Sequence, residues 1–334
     1  MKIFVLVGII TAAAVSAAVI GMANQTEANS GEIRVAFFPT ILHAVPIVGM
    51  ENGEFADDLG DIPIRTVIVD SGPHAIEALF ANSADLAYVG PGPLVNGYVQ
   101  SGGDKIKILS GAAANGASLV VQKDSKIATA ADLAGKKVAA PSIGNTQDVS
   151  LRTYLSENDL VPAERGGNVI VYNTANPEIF TLFAKGDIDA AWVPEPTATL
   201  LVEQLGGERL FQEEEIWEGN RFSSVLLIGR VDFIEQHPDW TAKWIAAHER
   251  TVTWINEHPD ETPEIFIDFY KKHTGKVVPE NIMREAFSKI IITTDTVPDS
   301  IHTFAEQSYS LGYLGRSGYD LGDVFYNVSK LGGT

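Results

Sequence analysis

The sequence predicts an α/β protein of two lobes that is followed by a helical C-terminal region. Short apolar runs alternate with helical patterns between Gly31 and Arg230, which is typical of layered α/β domains. The segment 182–196 repeats the residue pattern of 79–93, as two similarly built lobes would. After Val231 the apolar period changes to 3.6 residues, which is the period of an α-helix.

Lobe one begins with predicted strands and helices in alternation. The strands are 33–38, 64–69, 85–89 and 106–110, and the helices are 44–51, 73–81 and 94–101. In the second helix Ile76, Leu79 and Phe80 recur at helical spacing. Pro73 suits the first turn of that helix, because an N–H at this position would have no partner within the helix.

Lobe two begins with the strand 118–122. Its other strands are predicted at 137–140, 169–172, 190–193 and 209–212, and its helices at 146–157, 177–185 and 197–205. The apolar segment Ser224–Gly229 predicts a strand that returns the chain to lobe one. The predicted domains are therefore 31–118 plus 224–334 for lobe one and 119–223 for lobe two.

The C-terminal region predicts helices that pack on lobe one. Trp240, Trp244, His248, Val252 and Ile255 lie on one helical stripe, and prolines separate the later helices. A stripe at this spacing favours packing positions, so we expect these aromatic residues in a core and His248 as a packed histidine.

Polar and small residues follow five of the predicted strands. In open α/β sheets, ligands bind at the carboxyl ends of the strands, so these turns predict a cleft shared by the two lobes. The turns are Phe38-Pro39-Thr40, Ser71-Gly72, Gly90-Pro91-Gly92-Pro93, Ala113-Ala114-Asn115-Gly116 and Ser142-Ile143-Gly144-Asn145-Thr146-Gln147.

Helix starts after such turns favour an anionic ligand. The first N–H groups of a helix have no partner within it, and the helix dipole is positive at that end. Glycine permits a close approach, and Ser, Thr, Asn and Gln side chains add neutral donors. The alternative is ordinary helix capping, since Ser, Thr and Asn precede many helices.

Several aromatic and acidic side chains complete the candidate site. Tyr88, Trp192, Phe38 and His43 either line the cleft or pack in the cores. Glu195 is left open between a ligand contact and a structural role, and Asp148 is expected to pair with Arg152 four residues later. The predicted ligand-binding residues are Phe38, Thr40, His43, Ser71, Gly72, Gly90, Pro91, Asn115, Gly144, Asn145, Thr146, Gln147, Trp192 and Glu195.

Composition excludes several classes of function. The chain has 24 basic and 43 acidic residues, a net charge of −19, whereas nucleic-acid binding requires a basic face. The sequence has no cysteine, which excludes thiol nucleophiles, disulfides and iron–sulfur ligation. Gly-x-Ser-x-Gly, a phosphate-binding loop and His-Glu-x-x-His are also absent from it. We therefore expect no enzyme activity, no catalytic residue, no metal site and no cofactor.

The N-terminus predicts export. Met1-Lys2 precedes 20 uncharged residues, Ile3–Met22, and small residues lead to a polar stretch after Ala23. Residues 1–23 are thus a cleaved signal peptide or a retained anchor, and the rest of the chain is expected in the periplasm or at the cell surface.

Longer motifs of the chain resemble the nitrate/sulfonate/taurine group of ABC-transporter substrate-binding proteins. These motifs stand in the family's order from about Gly31 to Gly315. They are Phe37-Phe38-Pro39-Thr40-x-x-His43-Ala44, Gly53-Glu54-Phe55, Ala78-Leu79-Phe80, Val89-Gly90-Pro91, Lys123-Asp124-Ser125, Asp132-Leu133-Ala134-Gly135-Lys136-Lys137-Val138 and Trp192-Val193-Pro194-Glu195-Pro196.

The resemblance implies the type II periplasmic-binding-protein fold, in which two crossover strands join the lobes. It implies a ligand held by Phe38, Thr40, Ser71, the Gly90-Pro91 turn and the helix start at 144–147. It also implies a monomer that delivers a small solute to an ABC permease and, through it, to an ATPase. Contact with the membrane would come only through the N-terminal segment or the permease.

The identity of the solute stays open at this point. A small oxyanion such as an aliphatic sulfonate, taurine or nitrate is the first expectation. The alternatives are a thiamine-precursor pyrimidine, a non-transport enzyme of the same fold such as one of the menaquinone pathway, and an extracellular sensing domain of a receptor.

Overall fold

The computed structural model of the chain describes residues 31–315 and 317–332, which form two mixed β-sheets with helices packed against them. The predicted leader at 1–23 lies outside these residues. The strands are β1 (Ile33–Phe37), β2 (Ile64–Ile68), β3 (Leu86–Val89), β4 (Ile106–Asn115), β5 (Ala117–Val121), β6 (Lys137–Ala140), β7 (Ile170–Asn173), β8 (Ala190–Pro194), β9 (Glu208–Gln212), β10 (Ser223–Arg230) and β11 (Ile290–Ile292).

The α-helices of the described residues connect these strands and form most of the C-terminal region. They are α1 (Ala44–Glu51), α2 (Glu54–Leu59), α3 (Gly72–Phe80), α4 (Pro91–Gln100), α5 (Thr146–Glu157), α6 (Asn176–Lys185), α7 (Thr197–Leu205), α8 (Val231–Gln236), α9 (Pro238–Glu257), α10 (Glu261–Thr274), α11 (Glu280–Phe287) and α12 (Pro298–Ser310). Short 3₁₀ helices lie at Ile41–His43, Ala130–Leu133, Ala163–Arg165, Glu213–Ile216, Glu218–Asn220 and Val328–Gly332.

The six-stranded sheet has the order β11-β4-β10-β3-β1-β2, and we call it, with its helices, lobe one. β1 runs parallel to β2 and β3, whereas β10 runs antiparallel to β3 and β4. Val35 and Phe37 of β1 enter one hydrophobic core and Ala36 enters another. Both faces of this strand are therefore covered, which explains its nearly continuous apolar sequence.

The five-stranded sheet has the order β7-β6-β8-β5-β9, and we call it, with its helices, lobe two. β6 runs parallel to β7 and β8, and β5 runs antiparallel to β8 and β9. Because β6 and β8 are parallel neighbours, their carboxyl ends bring the turn 142–147 and the residue Glu195 to the same edge of the sheet.

Two segments carry the chain between the lobes. The first is Asn115–Gly116, where both residues have positive φ (61° and 82°) between β4 and β5. The second runs from the end of β9 at Gln212 to Ser223 of β10. Asn115 joins the two segments, because its Oδ1 accepts the N–H of Phe222 (3.1 Å) and its Nδ2 donates to the carbonyl of Asn220 (3.3 Å). The chain thus passes from one sheet to the other at these two segments, near the positions 118/119 and 223/224 at which the sequence predicts domain boundaries.

Three features differ from the sequence-based prediction. The predicted turn 113–116 is strand as far as Asn115, because pairing with β10 and β11 on its two sides offsets the low strand propensity of its alanines. The C-terminal region also contains a strand, β11. The predicted turn 90–93 forms the first turn of α4, with Pro91 at its first position.

The helical stripe of the C-terminal region is confirmed. Trp244, Val252 and Ile255 of α9 are buried in the core of lobe one, and Trp240 packs against that core. His248 is fully buried and hydrogen-bonded through both ring nitrogens, to the Tyr88 hydroxyl (2.9 Å) and the Gly111 carbonyl (2.7 Å). It is a packed histidine, as predicted.

Candidate ligand-binding site between the lobes

The start of α4 in lobe one directly contacts the start of α5 in lobe two. The Gly92 N–H donates to Thr146 Oγ1 over 3.4 Å. A Cβ at Gly90 would lie 2.3 Å from that Oγ1, and a Cβ at Gly92 would lie 3.1 Å from the Thr146 nitrogen. The glycines are therefore required for the two helix starts to meet.

The start of α3 lies beside the same contact. A Cβ at Gly72 would lie 2.3 Å from Pro93 Cγ and 3.2 Å from Asn145 Oδ1. Ser71 precedes Gly72 and is buried. The predicted turns at 71–72, 90–91 and 144–147 thus converge on one region, which we call the lobe junction.

The turn after β1 also contacts lobe two. The Thr40 hydroxyl donates to the backbone carbonyl of Glu195 over 3.0 Å. Phe38, in the same turn, lies with its ring centroid 3.9 Å from that of His43. The turn after β1 therefore also joins the two lobes, at Glu195, which lies at the same edge of the lobe-two sheet as the turn 142–147.

The capping explanation for these turns is not what the structure shows. Ser71, Gly90 and Asn145 occupy the N-cap positions of α3, α4 and α5, and in this part of the chain none of them makes a side-chain capping bond. The N–H groups of Gly72 and His74 in α3 and of Thr146 and Gln147 in α5 therefore have no capping side chain within the described residues. Pro73 has no N–H, and the N–H of Asp148 bonds to the carbonyl of Asn145 (3.1 Å). α4 contributes fewer donors, because Pro91 and Pro93 lack an N–H.

His43, whose ring lies against that of Phe38, is a buried polar group without a hydrogen-bond partner in the part of the protein that the structure describes. Its side chain is fully buried, and neither ring nitrogen has a hydrogen-bond partner among the described residues. Burial lowers the pKa of His43 to about 3, so the imidazole is neutral at physiological pH. A neutral imidazole offers one donor and one acceptor to a group that enters the junction.

The two acidic candidates are occupied by protein partners. Asp148 Oδ1 accepts from Arg152 Nε over 2.7 Å, which confirms the predicted pair. Glu195 accepts from Arg209 Nη2 (2.8 Å) and from the N–H of Thr199 (3.1 Å). Burial raises the pKa of Glu195, and the adjacent guanidinium opposes that shift.

The local charge of the junction comes from backbone and neutral groups. Residues 38–43, 71–73, 90–93 and 142–147 contain no lysine and no arginine. Such an arrangement can hold an anion through helix N-termini and neutral donors.

Comparison with known proteins agrees with this architecture. The model of the NMT1-like family matches residues 26–266, more than half of the chain. The chain belongs to the NMT1-like family. The predicted resemblance to nitrate, sulfonate and taurine substrate-binding proteins is thereby confirmed.

Relatives of this family member include two bacterial binding proteins. A Bacillus subtilis protein named as an aliphatic sulfonates-binding protein is 27% identical over 73% of this chain and 72% of its own length. The taurine-binding periplasmic protein of Escherichia coli is 29% identical over 51% of this chain, which spans about half (50%) of that relative.

A solved structure shows the same fold. The alkanesulfonate-binding protein from Xanthomonas axonopodis pv. citri bound to MOPS has a TM-score of 0.71 and 15% identity, covering 86% of this chain and 96% of that one. The predicted fold class is therefore confirmed.

In this NMT1-like protein two predicted site residues, Trp192 and Asn115, make their hydrogen bonds away from the lobe junction. Trp192 is fully buried in the core of lobe two, where its Nε1 donates to Glu213 Oε2 over 2.6 Å. The side-chain amide of Asn115 is used in the crossover bonds described above. Neither contributes a free polar group to the junction.

Two residues near the junction, Gly92 and Arg209, are not among the predicted site residues. Gly92 belongs to the predicted turn 90–93 but not to the predicted site residues, and a Cβ at this position would lie 3.1 Å from the Thr146 nitrogen. Arg209, which neutralises Glu195, had no local signal because 14 residues separate the two.

The described residues contain no candidate metal centre and no candidate membrane-spanning helix. Within 31–315 and 317–332, no three His, Asp or Glu residues are grouped as metal ligands would be. Over the same ranges, no helix has the length and apolar character of a membrane span.

Proposed function

We propose that this protein is the exported solute-binding component of an ABC importer and holds a small oxyanion at the lobe junction. Sulfonates are the first candidates, followed by nitrate. The observation that carries this proposal is the meeting of the uncapped starts of α3 and α5, from different lobes, in a region whose other donors are neutral.

The named relatives support the choice of sulfonates. The Bacillus subtilis and Escherichia coli relatives carry the names of an aliphatic sulfonates-binding and a taurine-binding protein. The predicted signal segment supports export, and a binding protein of this kind would deliver its solute to a permease coupled to an ATPase. No step of this role requires catalysis.

The proposed ligand contacts follow from the geometry. Ser71 and the first N–H groups of α3 would bind the anion from lobe one. Asn145, Gln147 and the first N–H groups of α5 would bind it from lobe two. His43 would add one hydrogen bond and Phe38 an apolar wall. The glycines at 90 and 92 would allow the lobes to close.

Calorimetry with ethanesulfonate, taurine, nitrate and a hydroxymethylpyrimidine tests the proposal. We expect at least one sulfonate to bind with a Kd near 1 μM, about −8 kcal/mol. Ser71→Ala and Asn145→Ala should each weaken that binding by about tenfold or more, because each removes a hydrogen bond to a charged group. Ser83→Ala, at an exposed position after α3, is the matched control. Tight binding of the pyrimidine without any anion binding would refute the proposal.

A further inference from the structure

Glu213 is a fully buried carboxyl group at the start of the second crossover segment. Its Oε1 accepts from the Ser150 hydroxyl (2.6 Å) and from Trp217 Nε1 (3.4 Å), and its Oε2 accepts from Trp192 Nε1 (2.6 Å). Its three hydrogen-bond donors are all neutral. The residue therefore connects helix α5, the core of lobe two and the crossover segment without a counter-ion among these contacts.

The charged groups around Glu213 do not neutralise it. Strands β5 and β8, which pack nearby, have no titratable residue in Ala117–Val121 and Ala190–Pro194. The titratable residues on the other elements around it are Asp148, Arg152, Tyr154 and Glu157 of α5, Glu208 and Arg209 of β9, and Glu214, Glu215, Glu218 and Arg221 of the crossover segment.

Each of the three arginines in this set has another carboxylate partner. Arg152 pairs with Asp148, Arg209 with Glu195, and Arg221 with Asp295. Burial raises the pKa of Glu213 to about 7, although its three donors act to lower it, and the charge of Glu214 adds to the rise. Glu213 thus gains and loses a proton near neutral pH.

The hydrogen bonds that Ser150 can form differ between the protonated and the ionised form of Glu213. The Ser150 hydroxyl has one hydrogen but two acceptors in reach, Glu213 Oε1 and the carbonyl of Thr146 (3.1 Å). If Glu213 is ionised, the Ser150 hydroxyl donates to it, and the Thr146 carbonyl keeps only its helical bond from the Ser150 N–H. If Glu213 is protonated, its O–H donates to Ser150 Oγ and Ser150 donates to Thr146, so every group in the chain is paired.

We propose that Glu213 is a positioning residue of the ligand site, which in its protonated form holds the first turn of α5 through Ser150 and Thr146. This inference rests on the proposed function, because Thr146 belongs to the proposed site. Ionisation would release the Thr146 contact and place a negative charge near the bound anion. Both effects weaken anion binding as the pH rises.

The test is the affinity for ethanesulfonate between pH 5.5 and 8.5. In the wild-type protein we expect it to fall about tenfold across this range, as a charge ~10 Å from the anion at an effective dielectric constant of ~20 would produce. Glu213→Gln, which keeps a donor and an acceptor, should retain the high affinity at every pH. Glu218→Gln removes an exposed carboxylate from the same segment and should follow the wild type.

A flat wild-type profile, or an unchanged slope in Glu213→Gln, would overturn the inference. Tryptophan emission provides a readout that needs no ligand, since Trp192 and Trp217 donate to Glu213. We expect an emission change with a midpoint near pH 7 in the wild type and none in Glu213→Gln. If no anion binds at any pH, the proposed function fails, and the emission titration alone decides on the Glu213 proton: a transition supports it and a flat curve overturns it.

Discussion

Two buried histidines of lobe one differ in how the fold treats them. His248 is hydrogen-bonded through both ring nitrogens, whereas His43 has no partner for either among the described residues. Burial lowers the pKa of both, to about 4 for His248 and about 3 for His43, so both are neutral at physiological pH. A buried polar group without a partner costs stability, and this cost is consistent with the proposed role of His43 as a ligand contact.

The same contrast separates the lobe junction from the polar groups behind it. Glu195 and Asp148 lie close to the junction in the sequence, but both are satisfied by arginines and backbone groups. Ser71 and Asn145 form no capping bond. At the junction the satisfied carboxylates support the fold, and the side chains of Ser71 and Asn145 stay available to the proposed ligand.

The largest expected effect concerns a satisfied pair. Arg209→Leu removes the cation beside the buried Glu195 carboxylate and should lower the free energy of unfolding by about 3–5 kcal/mol. Urea unfolding measures this loss. Arg250→Leu, which breaks an exposed cluster with Glu54 and Asp58, should cost only about 0–1 kcal/mol. Equal losses would contradict the structural role assigned to Arg209.

The next effect concerns closure of the junction. Gly90→Ala should leave the fold intact, because φ is −73° at this position, but its Cβ would collide with Thr146 Oγ1 when the lobes meet. We expect sulfonate affinity to fall about 100-fold, which corresponds to about 2.7 kcal/mol. Adding Thr146→Ala removes the colliding atom, so the double variant should bind more tightly than Gly90→Ala alone. Calorimetry on the four proteins of this cycle gives the answer, and strictly additive losses would argue against the contact.

The histidine pair supplies the third prediction. His248→Leu leaves the Tyr88 hydroxyl and the Gly111 carbonyl without a partner and should reduce unfolding free energy by about 2 kcal/mol. His43→Leu removes groups that have no protein partner and should change stability by less than about 1 kcal/mol while weakening ligand binding. Urea unfolding and calorimetry on both variants separate the two roles. The assigned roles are contradicted if His43→Leu is less stable than His248→Leu, or if His43→Leu binds the sulfonate with wild-type affinity.

The smallest effect is the change in stability between pH 6 and 7 through Glu213. Its pKa is about 7 in the folded protein and 4.5 as the ordinary value. The unfolded chain therefore releases the proton first, and stability falls as the pH rises from about 4.5 to 7 and then levels off. The full interval is worth at most about 3 kcal/mol, and from pH 6 to 7 it amounts to about 1 kcal/mol. The difference between wild type and Glu213→Gln, followed by urea unfolding against pH, isolates this contribution; a constant difference would contradict the raised pKa.

Local sequence patterns predicted most of the junction. Ser71, Gly90 and Asn145 stand between an apolar strand and a periodic helix, so their position at a helix start follows from neighbouring residues alone. Thr40 follows a predicted strand in the same way, whereas His43 is predicted only as a side chain that lines the cleft or packs in a core. Such signals locate strand ends, and the α/β layering brings strand ends together.

Other assignments depended on contacts that sequence does not show. Every residue of β8 is buried, so no alternation of polar and apolar residues reveals which face Trp192 takes. The role of Glu195 is set by Arg209 on a different strand. The sequence predicts a turn at 113–116, whereas pairing with β10 and β11 on two sides keeps the segment extended as far as Asn115, although alanine is a weak strand former.

The most direct test of the ligand site is an NMR titration of ¹⁵N-histidine-labelled protein with the sulfonate that binds most tightly. We expect the ring nitrogens of His43 to shift on saturation, while those of His248, which already have partners, stay unchanged. Binding that leaves the His43 nitrogens unshifted would contradict the claim that the unpartnered groups at the lobe junction receive the ligand.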